Sequence, residues 1–256
     1  MPKEYIPHIT KFHRILQEHS VMILDRSNMP QYGIGTGVFF EYNDNFFILT
    51  ACHVIKGIKD NDLLLSLGIE YQSYPMKKEK IWCNEALDIA YIQLNRTEAI
   101  YLRGLQNKPF KIGSINEHRT ISKDLRHAIN GFPGVMSELN EEKNAVEGES
   151  YLITTFWYDP TRWTNEIIGN GLDKEKHFIL GYGKETTNQF GEIIKNKDVR
   201  GMSGAGVWLF DPKTEEDETP VYELYGIQTS WYPTKYLLRG VYIRFLIEKI
   251  KEDYFS

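Results

Sequence analysis

A chain of 256 residues with 41% hydrophobic and 25% charged side chains has ordinary globular composition and should fold unaided, burying one large core or two small ones. Its formal net charge is -5, and no block of Lys/Arg stands apart from acidic residues, which argues against nucleic acid as a partner. The opening MPKEYIPHITKFHRIL lacks the apolar core of a signal peptide, and the longest apolar run, FFILTACHVI, is too short to span a bilayer; the expectation is a soluble, cytoplasmic protein with no membrane partner.

Residues 9 to 19 carry Ile9, Phe12, Ile15 and Leu16 at the spacing of one helical face, so a short leading helix is predicted, an arm over 1–20. From there the punctuation is all-β. SVMIL, GTGVFFEY, NFFILTA, KIWC, DIAYIQL, PFKIG and HAINGF are short β-branched or aromatic runs divided by Gly, Asn, Asp and Pro. GVFFEY and NFFILT are joined by Asn43-Asp44-Asn45, residue types that accept left-handed turn geometry and so favour a hairpin. A second series follows at ESYLITTFWY, KHFILGY, AGVWLF, PVYELYGIQTSWY and RGVYIRF. Two β units are the natural division, over 21–112 and 113–242. Ile243, Leu246, Ile247, Ile250 and Tyr254 then form one helical stripe, so residues 243–256 should close the chain as an amphipathic helix on the second unit. The acidic stretches EEKNAVEGES and DPKTEEDETP read as solvated loop tips.

The two cysteines, Cys52 and Cys83, are too sparse for a secreted disulfide framework and fit a reducing compartment. Neither has CxxC spacing with another ligand, so no metal is expected, and no cofactor. GIGTG at 33–37 lacks the third glycine of a phosphate-binding loop and runs into a strand, and KDNDL at 59–63 lacks the glycine and terminal Glu of a calcium loop.

RGMSGAGVW places three glycines and an alanine around Ser203. One reading is a tight turn before a strand. The other is a nucleophile whose flanking backbone N–H groups are left bare to hold an oxyanion. A serine nucleophile needs a base, and all seven histidines precede it, which excludes the α/β-hydrolase order of Ser, acid, His. His53 stands where the strand FFILTA meets a loop, and Asp88 stands directly before the run IAYIQL; each has an ordinary polar reading beside the catalytic one.

GTGVFFEYNDNFFILTACHV, LDIAYIQL, HAINGFPG, GMSGAGVW, YGIQTSW and RGVYIRF, in that order over residues 20 to 250, resemble the trypsin/chymotrypsin-like serine peptidases, with the closer likeness to the glutamyl-endopeptidase and high-temperature-requirement types. The resemblance implies two six-stranded antiparallel β-barrels with the site in the cleft between them. It implies His53 as general base, Asp88 as the group orienting its ring, Ser203 as nucleophile, and the N–H groups of Gly201 and Ser203 as oxyanion hole. Lys197, Asp198 and Arg200, together with Ser230, Trp231 and Tyr232, would line the pocket for the residue on the acyl side of the cut, with Lys197 and Asp198 suggesting opposite charge preferences and Tyr232 a narrowed mouth. Met202 replaces the Asp that receives a new N-terminus in digestive members, so activation by that ion pair is not expected. Thr50-Ala51-Cys52-His53-Val54 displaces the cysteine that usually flanks the histidine, so the usual disulfide cannot form and Cys52 reads as a small buried filler. The implied function is a serine endopeptidase acting on protein or peptide substrates through an acyl-enzyme, held in check by a regulatory protein partner, by substrate scarcity or by a disordered oxyanion loop, as in bacterial effectors. The rival is a catalytically inactive trypsin-like scaffold that binds protein.

Overall fold

A computed structural model describes residues 6–25, 27, 35–59, 62–66, 74–75, 81–104, 107–111, 126–140, 145–164, 172–187, 193–195, 198–210 and 222–255. Lys197 and the acidic stretch 211–220 lie outside the described residues. The leading helix α1 spans Ile6–His19 and buries Ile9, Phe12 and Leu16, the predicted face. The first unit follows with β1 (Ser20–Asp25), β2 (Gly35–Tyr42), β3 (Asn45–Thr50), the short helix α2 (Cys52–Lys56), β4 (Leu63–Ser66), β5 (Tyr74–Pro75), β6 (Ile81–Asn84), β7 (Ile89–Leu94), helix α3 (Arg96–Gly104) and β8 (Phe110–Lys111). These strands form one sheet in the order β5-β4-β1-β2-β3-β7-β6, with β8 pairing parallel to β2.

Alternation explains why GTGVFFEY and NFFILT are apolar almost throughout. Phe39 and Ile48 enter the core of the first unit, while Val38, Phe40, Phe47 and Leu49 point to the opposite face and pack against the second unit. The β2–β3 turn is Asn43-Asp44, both at positive φ (46° and 60°), the two-residue hairpin geometry that Asn and Asp accept.

The second unit contains β9 (Arg126–Gly131), the hairpin β10 (Ser137–Asn140) and β11 (Ala145–Gly148), then β12 (Tyr151–Trp157), β13 (His177–Gly181), the hairpin β14 (Glu185–Thr187) and β15 (Ile193–Lys195), then β16 (Gly206–Phe210), β17 (Tyr222–Tyr232) and β18 (Leu237–Tyr242). Six of these close into a barrel in the order β12-β13-β18-β17-β16-β9. Its interior is filled by Ile129, Ile153, Phe178, Leu180, Val207 and Leu238 among others. Part of the predicted acidic loop tip, EEKNAVEGES, is instead β11, because Ala145–Gly148 pairs antiparallel with Ser137–Asn140.

The two units meet in a third core. Ala128, Trp208, Leu224, Ile227 and Val241 from the barrel's outer face pack against Val38, Phe40, Leu49, Ile89 and Tyr91, with Phe12 and Leu16 of α1. The final helix α4 (Arg244–Phe255) buries Leu246, Ile247 and Ile250 in this same core. The helix packs on the second unit as expected and on the first as well. The α4 end also reaches the first unit, where Tyr91 Oη donates to Asp253 and Tyr254 Oη to Gln93.

Candidate active site

His53 is the second residue of α2, a turn that starts where β3 ends. A helix start leaves its first N–H groups without intrahelical partners. Asp88 takes them: Cys52 N donates to the Asp88 carbonyl (3.2 Å) and His53 N to Asp88 Oδ1 (2.9 Å). The same carboxylate lies 2.8 Å (Oδ2) and 3.0 Å (Oδ1) from His53 Nδ1. A carboxylate can only accept, so the ring carries its proton on Nδ1 and Nε2 is left as a base. Asp88 sits at φ 58°, at the end of the turn that precedes β7. Three hydrogen bonds from α2 hold it there. The His53 side chain is half exposed and the Asp88 side chain 19% exposed, so the ring edge is open to a ligand while its anchor is sheltered.

The Ser203 loop is held from the first unit by Thr36, which nothing in the sequence singles out. Thr36 is fully buried in β2 and uses its N–H and hydroxyl to hold the serine loop. Its N–H donates to the Ser203 carbonyl (2.8 Å), its hydroxyl donates to the Gly201 carbonyl (3.1 Å) and accepts from Phe132 N (2.9 Å), and its carbonyl accepts from Thr50 Oγ1 (2.7 Å). One first-unit residue thus fixes a loop of the second unit. Gly204, at φ 88°, completes the contact: a Cβ there would collide with Thr36 O and Thr50 Oγ1 and come within 3.0 Å of Ala51 N. The serine loop is therefore pressed against the residues that lead into α2 and His53.

Two of the backbone donors around the serine are turned away from the neighbouring carbonyls. Gly134 N donates to the Arg200 carbonyl (2.7 Å), and in a planar trans peptide the Gly201 N–H then points the opposite way. Ala205 N donates to the Met202 carbonyl (2.9 Å), which turns the Ser203 N–H away in the same manner. Neither N–H meets an acceptor among the described residues. Gly201 adopts φ 94°, and a Cβ there would come within 2.6 Å of Gly134 N. Among the described residues the Ser203 hydroxyl makes no hydrogen bond to His53.

The expected pocket residues divide. Asp198 is engaged by Arg200, through Arg200 N (2.9 Å) and Arg200 Nε (2.7 Å), and the guanidinium holds its carboxyl below the ordinary value. It is not a free anion for a basic substrate. Trp231 packs with the barrel core, its Nε1 donating to the hydroxyl of buried Tyr182. Ser230 and Tyr232 remain part-exposed at the end of β17.

Cys52 is not a filler thiol. It is disulfide-bonded to Cys83 of β6, with 5.3 Å between the Cα atoms, and no free cysteine remains. The bridge is not the one displaced from the histidine's flank; it links the first residue of α2 to the strand that enters the Asp88 turn. Among the described residues no group of His, Cys, Asp and Glu is placed to hold a metal, and no helix is long and apolar enough to cross a membrane.

No family model matches the chain, and no curated protein matches it in sequence. Among solved structures it is similar to the scabies mite inactivated protease paralogue S-D1 (TM-score 0.57, 14% identity, 93% of each chain covered). It is similar to the scabies mite inactivated protease paralogue S-I1 (TM-score 0.56, 15% identity, 93% of this chain and 96% of that one). A serine endoprotease from Yersinia pestis matches at TM-score 0.53 and 16% identity, over 98% of this chain and 67% of that one. Likeness at these identities shows the fold, and the chain has the trypsin/chymotrypsin-like architecture of serine proteases.

Proposed function

We propose that the protein is a serine endopeptidase. In this reading Ser203 Oγ attacks the scissile carbonyl as His53 Nε2 takes its proton, and the resulting oxyanion sits against the Gly201 and Ser203 N–H groups. His53 then returns the proton to the leaving amine, and water hydrolyses the acyl-enzyme by the same route. Asp88 keeps the ring in the tautomer that leaves Nε2 basic and stabilises the imidazolium. Each oxyanion donor contributes about 3 to 4 kcal/mol to the barrier reduction. The observation that carries the reading is a carboxylate-anchored imidazole (2.8 Å) at the start of α2 together with a serine loop that packs on the residues leading into α2 and holds two backbone donors without acceptors among the described residues. The narrower likeness to glutamyl-endopeptidase and high-temperature-requirement types and control by a protein partner belong to the same proposal; the Cys52–Cys83 bridge counts against the reducing, cytoplasmic compartment that two sparse cysteines suggest.

A second reading, an inactive scaffold that binds protein, is favoured by the missing Ser203–His53 hydrogen bond and by the two inactivated paralogues among its structural neighbours. A fluorophosphonate probe separates the two. Covalent labelling of the wild type that disappears in both Ser203→Ala and His53→Ala supports the peptidase; a folded wild type that resists labelling at all pH values from 6 to 9 supports the scaffold.

A further inference from the structure

The sheet of the first unit has an end that faces away from His53 and Asp88. β3 (Asn45–Thr50) leads into α2 at one end, and β7 (Ile89–Leu94) starts beside Asp88; paired antiparallel, both strands have their other ends together, about 17 Å away, where Phe46 opposes Leu94. The β2–β3 turn lies at that end too. With α3 and Lys111 of β8 it encloses a cleft of about 700 Å³, and every residue lining that cleft is described. The volume is that of an ordinary ligand site.

The charges in the cleft are unequal. Glu41 of β2 is buried and divides its carboxylate between two cations: Oε2 accepts from Arg103 Nη2 (2.9 Å), and Oε1 lies 2.7 Å from Lys111 Nζ. One negative charge offsets only one of the two. Arg96, exposed at the start of α3, meets no carboxylate among the described residues. Even with Asp44 of the turn counted, the lining holds three cations against two acids, a surplus of one positive charge in a chain of net charge -5. Arg103 is also fixed in place, its guanidinium 4.6 Å from the centre of the Phe46 ring, and only one of its five donors is engaged, by Glu41. Beside these cations Ile100 is 57% exposed, an apolar side chain in the same lining. A small inorganic anion would use the cations and leave Ile100 in water; a peptide carrying carboxylates around an apolar residue uses both.

We infer that this cleft is a docking site for an acidic peptide segment of a partner protein, whose carboxylates bond Arg96, Arg103 and Lys111 while an apolar side chain of the segment covers Ile100. The chain's net negative charge repels an acidic partner, so the attraction has to come from these local contacts. The site lies at the opposite end of β3 and β7 from the candidate active site, and its recognition needs neither Ser203 nor catalysis.

The test titrates a fluorescein-labelled pentapeptide, Glu-Glu-Leu-Glu-Glu, and its neutral counterpart, Gln-Gln-Leu-Gln-Gln, with the Ser203→Ala protein, so that neither is cleaved, and reads binding by fluorescence anisotropy at about 0.15 M salt. The Glu peptide should bind about tenfold or more tightly than the Gln peptide, the size of a charge-assisted bond against a neutral one. Arg96→Gln disturbs no ion pair among the described residues, and Lys111→Gln leaves Glu41 with Arg103, so the double variant should stay folded. It should weaken the Glu peptide by about tenfold or more and leave the Gln peptide as before. Ile100→Ser should weaken both peptides by about threefold. Equal binding of the two peptides, or a Glu preference that survives the double variant, overturns the inference. So does displacement of the Glu peptide by inorganic phosphate together with indifference to Ile100→Ser, which assigns the cleft to a small anion. Fluorophosphonate labelling of Arg96→Gln with Ser203 intact should match the wild type, so the peptidase reading stands or falls separately.

Discussion

Breaking the Cys52–Cys83 bridge should cost much stability and little site geometry, and these two effects are separable. The bridge closes a loop of 31 residues. The chain-entropy relation for a loop of that length gives about 12 cal/mol/K, or about 3.7 kcal/mol at 25 °C. In a chain of this size each kcal/mol moves the melting point by about 2 to 4 °C, so the Cys52→Ala/Cys83→Ala variant should melt about 7 to 15 °C below the oxidised wild type. Alanine is the replacement of choice because Cys52 is buried, and a hydroxyl there would demand a partner. The site should respond differently, because Asp88 holds the start of α2 through the Cys52 and His53 N–H groups and the His53 ring whether or not the sulfurs are joined. Fluorophosphonate labelling of the folded variant at 20 °C should therefore slow by less than about tenfold, under about 1.4 kcal/mol of barrier. Calorimetry with and without a dithiol reductant, with labelling rates on the same samples, checks both numbers. If both cysteines of the unfolded, unreduced protein alkylate freely, the bridge does not exist. If reduction abolishes labelling while circular dichroism is unchanged, the sulfur link, and not Asp88, sets the geometry.

Asp88→Asn keeps an acceptor for the His53 N–H but offers the ring an amide in place of a carboxylate; the labelling rate and kcat should fall by about 10⁴ through the wrong tautomer, with the urea midpoint little changed. Thr36→Val retains the shape and removes a hydroxyl that bonds Gly201 O and Phe132 N, leaving buried groups unpaired; a loss of about 1 to 3 kcal/mol in urea unfolding is expected, which Thr36→Ser should largely restore. His127, buried in the barrel between Trp157 and Tyr225 with no partner for Nε2 among the described residues, has its pKa pushed by burial from 6.5 to about 4. The unfolded chain then binds this proton first, so stability is whole above pH 6.5 and lost as the pH falls toward 4. The loss should reach about 2 to 3 kcal/mol by pH 4.5. His19 and His177, also lowered chiefly by burial, slope the same way, so His127→Phe should flatten the curve of stability against pH only in part.

Residue type was informative wherever one backbone position imposes a chemical demand. Asn43 and Asp44 mark their hairpin because few other side chains tolerate positive φ, and the apolar runs mark strands because both faces of β2 and β3 are buried. Pairing was not legible in the same way. Nothing in PFKIG announces that Phe110–Lys111 will pair parallel with β2 and add an eighth strand to the first unit's described sheet. Two cysteines 31 residues apart read as thiols until α2 folds against β6 and brings their Cα atoms to 5.3 Å. Thr36 is silent for the same reason: a threonine between two glycines in a strand is ordinary, and three of its four bonds, to Ser203, Gly201 and Phe132, exist only once the second unit is docked. The glycines around Ser203 show both situations within four residues. Gly201 takes a positive φ where a side chain would strike Gly134, which orients the peptides beside the serine. Gly204 is stripped because Thr36 and Thr50 of the other unit occupy the space its Cβ would need. A single glycine cluster thus answers a local demand on the backbone and a distant one from the interface, and only the first could be read before the units met.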